Sequence, residues 1–93
     1  MDIRDQVYQY VVETFLFGDG SRIKDDDSLT GSGLIDSTGV IELVSYLERT
    51  FNLRIEDDEI IPDNFDSVAR ISNFISAKQA GEAVARMKVA FAE

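Results

Sequence analysis

Between Ser37 and Phe51 the chain sorts its residues onto two sides of a helix. At about 100° per residue, Val40, Leu43, Val44, Leu47 and Phe51 fall together, while Thr38, Ile41, Glu42, Ser45, Glu48 and Arg49 fall opposite. A helix divided this way must lay its apolar side on other elements and leave the rest in water. Those elements are legible in the flanks. Ile3, Val7, Tyr10, Val11 and Phe15 recur at helical spacing, which predicts a helix from Ile3 to Phe17 with Asp2 as N-cap and Gly18-Asp19-Gly20 as its end. A long polar segment follows to Asp36, with Leu29 and Leu34-Ile35 as its anchors to the core. Asn52-Leu53-Arg54-Ile55 reads as an extended connector, and Asp57 to Ile61 as a short helical turn stopped by Pro62. Asp66 or Ser67 caps a further helix with Val68, Ile71, Phe74 and Ile75 facing inward, interrupted at Gly81. In the Ala-rich tail beyond, Val84, Met87 and Phe91 keep helical spacing beside Arg86 and Lys88. The expected fold is all-α, a small antiparallel bundle of three main helices and one short helix, with one domain over residues 1–79 and a helical extension or tail over 80–93.

Charge and missing residue types narrow the function. The 93 residues carry a net charge of −9, which excludes nucleic acid as a partner, because phosphate backbones need Lys and Arg to displace their counterions. Basic protein surfaces, met with electrostatic steering, are favoured instead. There is no Cys, hence no disulfide, thiolate metal site or thiol nucleophile. There is no His, the usual base at neutral pH and the commonest metal ligand. An enzyme is not expected. The N-terminus is not basic and then apolar, and no apolar run approaches membrane-spanning length, so a cytoplasmic location is expected.

One hydroxyl stands out, that of Ser37 at the mouth of the second helix. A first helical turn has unpaired N–H groups and the positive end of the helix dipole, a setting suited to a phosphodiester. An Asp-Ser pair before an apolar-periodic run is also an ordinary N-cap. If Asp36 supplies the cap, the Ser37 hydroxyl is left unoccupied. Gly39 would then keep the first turn uncrowded for an approaching protein, at up to about 1 kcal/mol relative to Ala, a cost that packing alone does not explain.

Several stretches together resemble the acyl carrier and peptidyl carrier protein family. They are Asp27-Ser28-Leu29, Gly33 to Ser37, Val40-Ile41-Glu42-Leu43-Val44, Leu47-Glu48 with Phe51, Ile55 followed by acidic residues, and Val68…Ile71…Phe74-Ile75. The likeness covers roughly Met1 to Ile75. Thr38 departs from the Leu or Met usual after the serine. Gly-Leu-Ile-Asp-Ser-x-Gly and the opening Met1-Asp2-Ile3…Gln6-Val7-Tyr8 are closest to D-alanyl carriers and to stand-alone carriers served by discrete ligases. The resemblance implies 4′-phosphopantetheine, delivered from coenzyme A by a phosphopantetheinyl transferase and attached at Ser37, with Asp36 as motif residue and helix cap. It implies a thioester-bound acyl or aminoacyl cargo, an adenylating ligase, downstream transferases with basic docking surfaces, and a monomer. Thr38, Ile41, Glu42, Ser45 and Glu48 become the partner-recognition residues of the second helix.

Alternatives stay open on the residues themselves. The acidic side of the second helix reads equally as a plain solvated face. A carrier-like adaptor, never modified, would dock basic proteins through that same face. An acidic hydrolase would need paired carboxylates in a pocket, for which no spacing speaks. Asp25-Asp26-Asp27 lacks the alternating ligands, Gly and terminal Glu of a calcium loop, and Asp57-Asp58-Glu59 reads as favourable charge at a helix start; no metal is expected. The tail is expected to pack on the bundle or fray rather than bind a partner.

Overall fold

Asp2 begins the first helix by accepting a hydrogen bond from the Asp5 N–H at 2.8 Å. The computed structural model describes residues 2–16, 18 and 23–91, and side-chain surroundings up to residue 81. Its helices are α1 (Ile3–Phe15), α2 (Ser37–Phe51), α3 (Pro62–Phe65) and α4 (Val68–Phe91), with a 3-10 turn at Asp57–Glu59. The all-helical expectation holds, and among the described residues there is no strand.

The core is one cluster to which each part contributes at its predicted register. Val7 and Val11 come from α1, Leu43 and Leu47 from α2, and Val68, Ile71 and Ile75 from α4, all at most 1% exposed. Each such side chain contributes roughly 1.5–3 kcal/mol on burial. The long loop adds Ile23, Leu29 and Ile35, and the connector after α2 adds Leu53 and Ile55. Tyr10 of α1 and Tyr46 of α2 stack face to face, with ring centroids 3.8 Å apart and planes 1° from parallel.

Helix ends differ from expectation for local reasons. The first helix stops at Phe15, because the N–H groups of Leu16 and Gly18 both close on the Val12 carbonyl, at 3.1 and 3.0 Å. Just past this closure Gly18 has φ +89°, a left-handed conformation that glycine adopts without a Cβ penalty. Phe17, Asp19 and Gly20 lie outside the described residues. Pro62 does more than stop the preceding turn: it opens α3 at its first position, where a missing N–H does no harm, and Ile61 before it is extended. Gly81 does not interrupt the last helix, which runs unbroken through it and across residues 79 and 80. A helical Gly costs only about 1 kcal/mol, and alanines, the best helix formers, stand on both sides of it. The side chains of Val84, Met87 and Phe91 lie outside the described set, and with them the expected packing of the tail.

Ser67, not Asp66, caps α4, its Oγ accepting from the Arg70 N–H at 3.1 Å. This leaves Asp66 for another task. Its carboxylate accepts from Ser28 Oγ at 2.7 Å, Thr30 Oγ1 at 2.6 Å and the Thr30 N–H at 3.1 Å, while its carbonyl accepts from the Leu29 N–H at 2.8 Å. Asp25 makes a second tie: it pairs with Arg4, whose Nε donates at 2.8 Å, and its carbonyl accepts from the Ala69 N–H at 3.0 Å. These bonds hold the long loop against α1 and α4.

Candidate functional site

The loop delivers the chain to α2 through the buried Ile35, whose N–H bonds the Leu29 carbonyl at 3.1 Å. Asp36 is extended and caps the helix, Oδ1 accepting from the Gly39 N–H at 2.8 Å. Ser37 is therefore the first helical residue; it is exposed, and its hydroxyl makes no hydrogen bond to any described residue. The N–H groups of Ser37 and Thr38 likewise have no partner among the described residues. An accessible nucleophilic oxygen beside two free donors at the positive end of a 15-residue helix suits a phosphate ester.

Gly39 has a different explanation from the one its sequence context suggests. It is buried, and a methyl group there would sit 2.8 Å from Ile35 Cγ2 and 3.1 Å from Phe15 Cε1. The glycine faces the core and lets α2 close on α1 and the loop. Packing alone accounts for it.

Thr38, Ile41, Glu42 and Ser45 are all exposed on α2, Ile41 at 66%. Glu48 stands apart from them. It is half-buried, and its Oε2 accepts from the Ile55 N–H at 3.0 Å, tying the connector back onto the helix. Arg49 is exposed and donates to the Ser45 carbonyl at 3.3 Å.

Sequence reasoning missed the groove beside this turn. Val40, one turn on from Ser37, forms one wall with Ile60, Ile61, Pro62 and Phe65, and Thr30 and Asp66 stand at its polar edge. The space is about 120 Å³. Ile61, 43% exposed, is the only signal a reader of the sequence could have used, as an aliphatic just before a proline. The clasp on Asp66 spans 36 and 38 residues and has no local signature.

The acidic runs are divided among local partners. Asp25 pairs with Arg4, Asp27 Oδ2 accepts from the Lys24 N–H at 2.8 Å, and Glu59 meets Lys78 at 2.7 Å. Among the described residues no group of three or more potential ligands could hold a metal ion. Hydrogen bonds from Thr30 and then Ser28 hold the Asp66 carboxyl below the usual range, and the Lys78 ammonium does the same for Glu59. No helix among the described residues is long and apolar enough to cross a membrane.

Comparison with known proteins shows the family. The family model described as "Phosphopantetheine attachment site" matches residues 5–75. The D-alanyl carrier protein of Streptococcus sanguinis (strain SK36) is 34% identical over 71 residues, covering 76% of this chain and 87% of the relative. The D-alanyl carrier proteins of Streptococcus pyogenes serotype M5 (strain Manfredo) and Streptococcus gordonii (strain Challis) are 34% and 32% identical over 71 residues, with the same coverage. The chain thus belongs to the phosphopantetheine-binding carrier proteins, whose working group is a covalently attached 4′-phosphopantetheine.

Proposed function

We propose that Ser37 is the attachment point of the arm, and that the protein presents a thioester-bound acyl or aminoacyl group to partner enzymes. The arm supplies the terminal thiol on which cargo is held. The chain's own residues free the serine oxygen, through the Asp36 cap, and offer the surface that partners meet. Thr38, Ile41, Glu42 and Ser45 form that surface, and activation and transfer belong to the partners. The D-alanyl carrier proteins among the relatives favour aminoacyl cargo from a discrete adenylating ligase over fatty-acid elongation.

The observation that carries this reading is the exposed Ser37 hydroxyl, bonded to no described residue, with its neighbour already serving as cap. Incubation with coenzyme A and a phosphopantetheinyl transferase should add the mass of one phosphopantetheine to the wild type and none to Ser37→Ala. Folding of the variant should be unchanged within about 0.5 kcal/mol, since the side chain is exposed and bonds no described residue. A Ser37→Ala protein that still gains the mass defeats the assignment. A wild type that never gains it points to the adaptor instead.

A further inference from the structure

Along the exposed side of α2 the charge changes sign. Glu42 lies in the N-terminal half and Arg49 in the last turn, about 10 Å apart along the axis and on nearly the same side of the helix. The gap is too wide for them to pair, since helical ion pairs join residues three or four apart. Both side chains are exposed, and neither forms an ion pair with a described residue. Arg4, Arg54, Arg70 and Lys78 each have a carboxylate partner, and Lys24 on the long loop is the other described cation without one. With eighteen acidic side chains to nine basic ones, an arginine left without a carboxylate is out of keeping with the chain. Arg49 complements the C-terminal end of the helix dipole, and its Nε donates to the Ser45 carbonyl at 3.3 Å; both contacts hold it on the helix and leave its charge unpaired. Burial is the main cause that pushes the Tyr10 phenol up, and of the charged residues reaching it Glu42 raises it and Arg49 lowers it. Both charges therefore stand near the Tyr10–Tyr46 stack.

Geometry also singles out the partner that covers this stripe. Arg49 stands about 18 Å along the axis from Ser37. An enzyme acting at the end of a long arm can stand off from the helix, but the enzyme that attaches the arm must bring coenzyme A to the Ser37 oxygen itself. A standard protein interface covers about 800 Å² on each partner, roughly 30 Å across, so both residues fit inside one footprint. We propose that the phosphopantetheinyl transferase meets α2 with a surface of mixed sign, a cation opposite Glu42 and a carboxylate opposite Arg49, and that Arg49 turns away enzymes whose docking surface is basic throughout. This rests on Ser37 as the attachment point, and it revises the wholly basic dock expected from the net charge.

The test follows mass gain of the full-length protein with coenzyme A and transferase, at varied carrier concentration and low salt, with urea denaturation to check that each variant is folded. Arg49→Ala should raise the KM for the carrier about threefold and Arg49→Glu about tenfold, with kcat and the KM for coenzyme A unchanged. Arg49→Lys keeps the charge and should stay within about twofold of wild type. The sign of the effect is decisive. Arg49→Glu makes the protein more acidic, so a wholly basic dock would bind it better and lower the KM. Lys24→Glu makes the same change of charge off α2 and should not raise the KM. Salt at about 0.5 M should shrink the gap between wild type and Arg49→Glu. An unchanged or lowered KM for Arg49→Glu overturns the proposal, as does a rise shared by Arg49→Lys or Lys24→Glu. A rise in the KM for coenzyme A would assign Arg49 to the phosphates of coenzyme A and overturn it too. In each of these cases the wild type still gains the mass and Ser37 keeps its role. A wild type that gains none defeats the attachment as well, and the mass spectrum tells the two failures apart.

Discussion

At Gly39 a missing methyl group sets how closely α2 approaches the loop and the first helix. Ala at that position gains up to about 1 kcal/mol of helix propensity, yet its Cβ must displace Ile35 and Phe15, and overpacking of this kind costs about 1–3 kcal/mol. Gly39→Ala should therefore lose stability by about 1 kcal/mol in urea denaturation, with loading intact wherever the protein stays folded. Asp66 gives a second residue-scale prediction. Its carboxyl is held below its ordinary value by Thr30 and Ser28, so the folded state binds the proton less readily than the unfolded one. The stabilisation is present above the unfolded value and is lost as pH falls through the folded one. The melting-temperature gap between wild type and Asp66→Asn should hold from neutral pH down to about 5 and narrow below about 4. A gap independent of pH would contradict this.

Among the elements, α2 was the most legible, because its fifteen residues carry their own period, their own cap and a left-handed Asn52 to end them. The same reading placed Ser37 at the helix mouth and Ile41 on the exposed side, since both follow from the wheel. Glu48 shows where a wheel stops helping. Its position is polar, but one of its carboxylate oxygens accepts from the N–H of Ile55, seven residues on, a bond no periodicity encodes. The groove and the Asp66 clasp were illegible for the same reason, being contacts between segments that meet only once folded. Pro62 was legible only in part: the turn before it does stop, but its chemistry permits a helix start as readily, and α3 begins there. Glu48→Gln keeps an acceptor for Ile55 and should leave both amide exchange protection at Ile55 and the transferase KM near wild type. Glu48→Ala should lose that protection and about 1 kcal/mol of stability. By contrast, Glu42→Lys on the exposed face should raise the transferase KM without disturbing the fold. If Glu48→Gln raises KM as much as Glu42→Lys does, Glu48 meets the partner through its charge.

The whole molecule holds eighteen acidic and nine basic side chains. Of the described ion pairs, all but Lys78 with Glu59 leave both side chains at least 40% exposed and contribute little. Self-repulsion at −9 therefore outweighs them in a domain this small. Moving from low salt to about 0.15 M should raise the melting temperature by a few degrees, roughly 1 kcal/mol at this size. A temperature that stays flat or falls would show that the pairs matter more than the excess charge. The paired rings of Tyr10 and Tyr46 have a use at this scale. The chain has three tyrosines and no tryptophan, so nothing brighter masks their near-ultraviolet signal. Two of the three lie flat against each other across the α1–α2 contact, where their transitions couple strongly. The protein thus carries a built-in optical gauge, in which circular dichroism or tyrosine emission follows, without any label, how the serine-bearing helix sits on its neighbour as partners come and go.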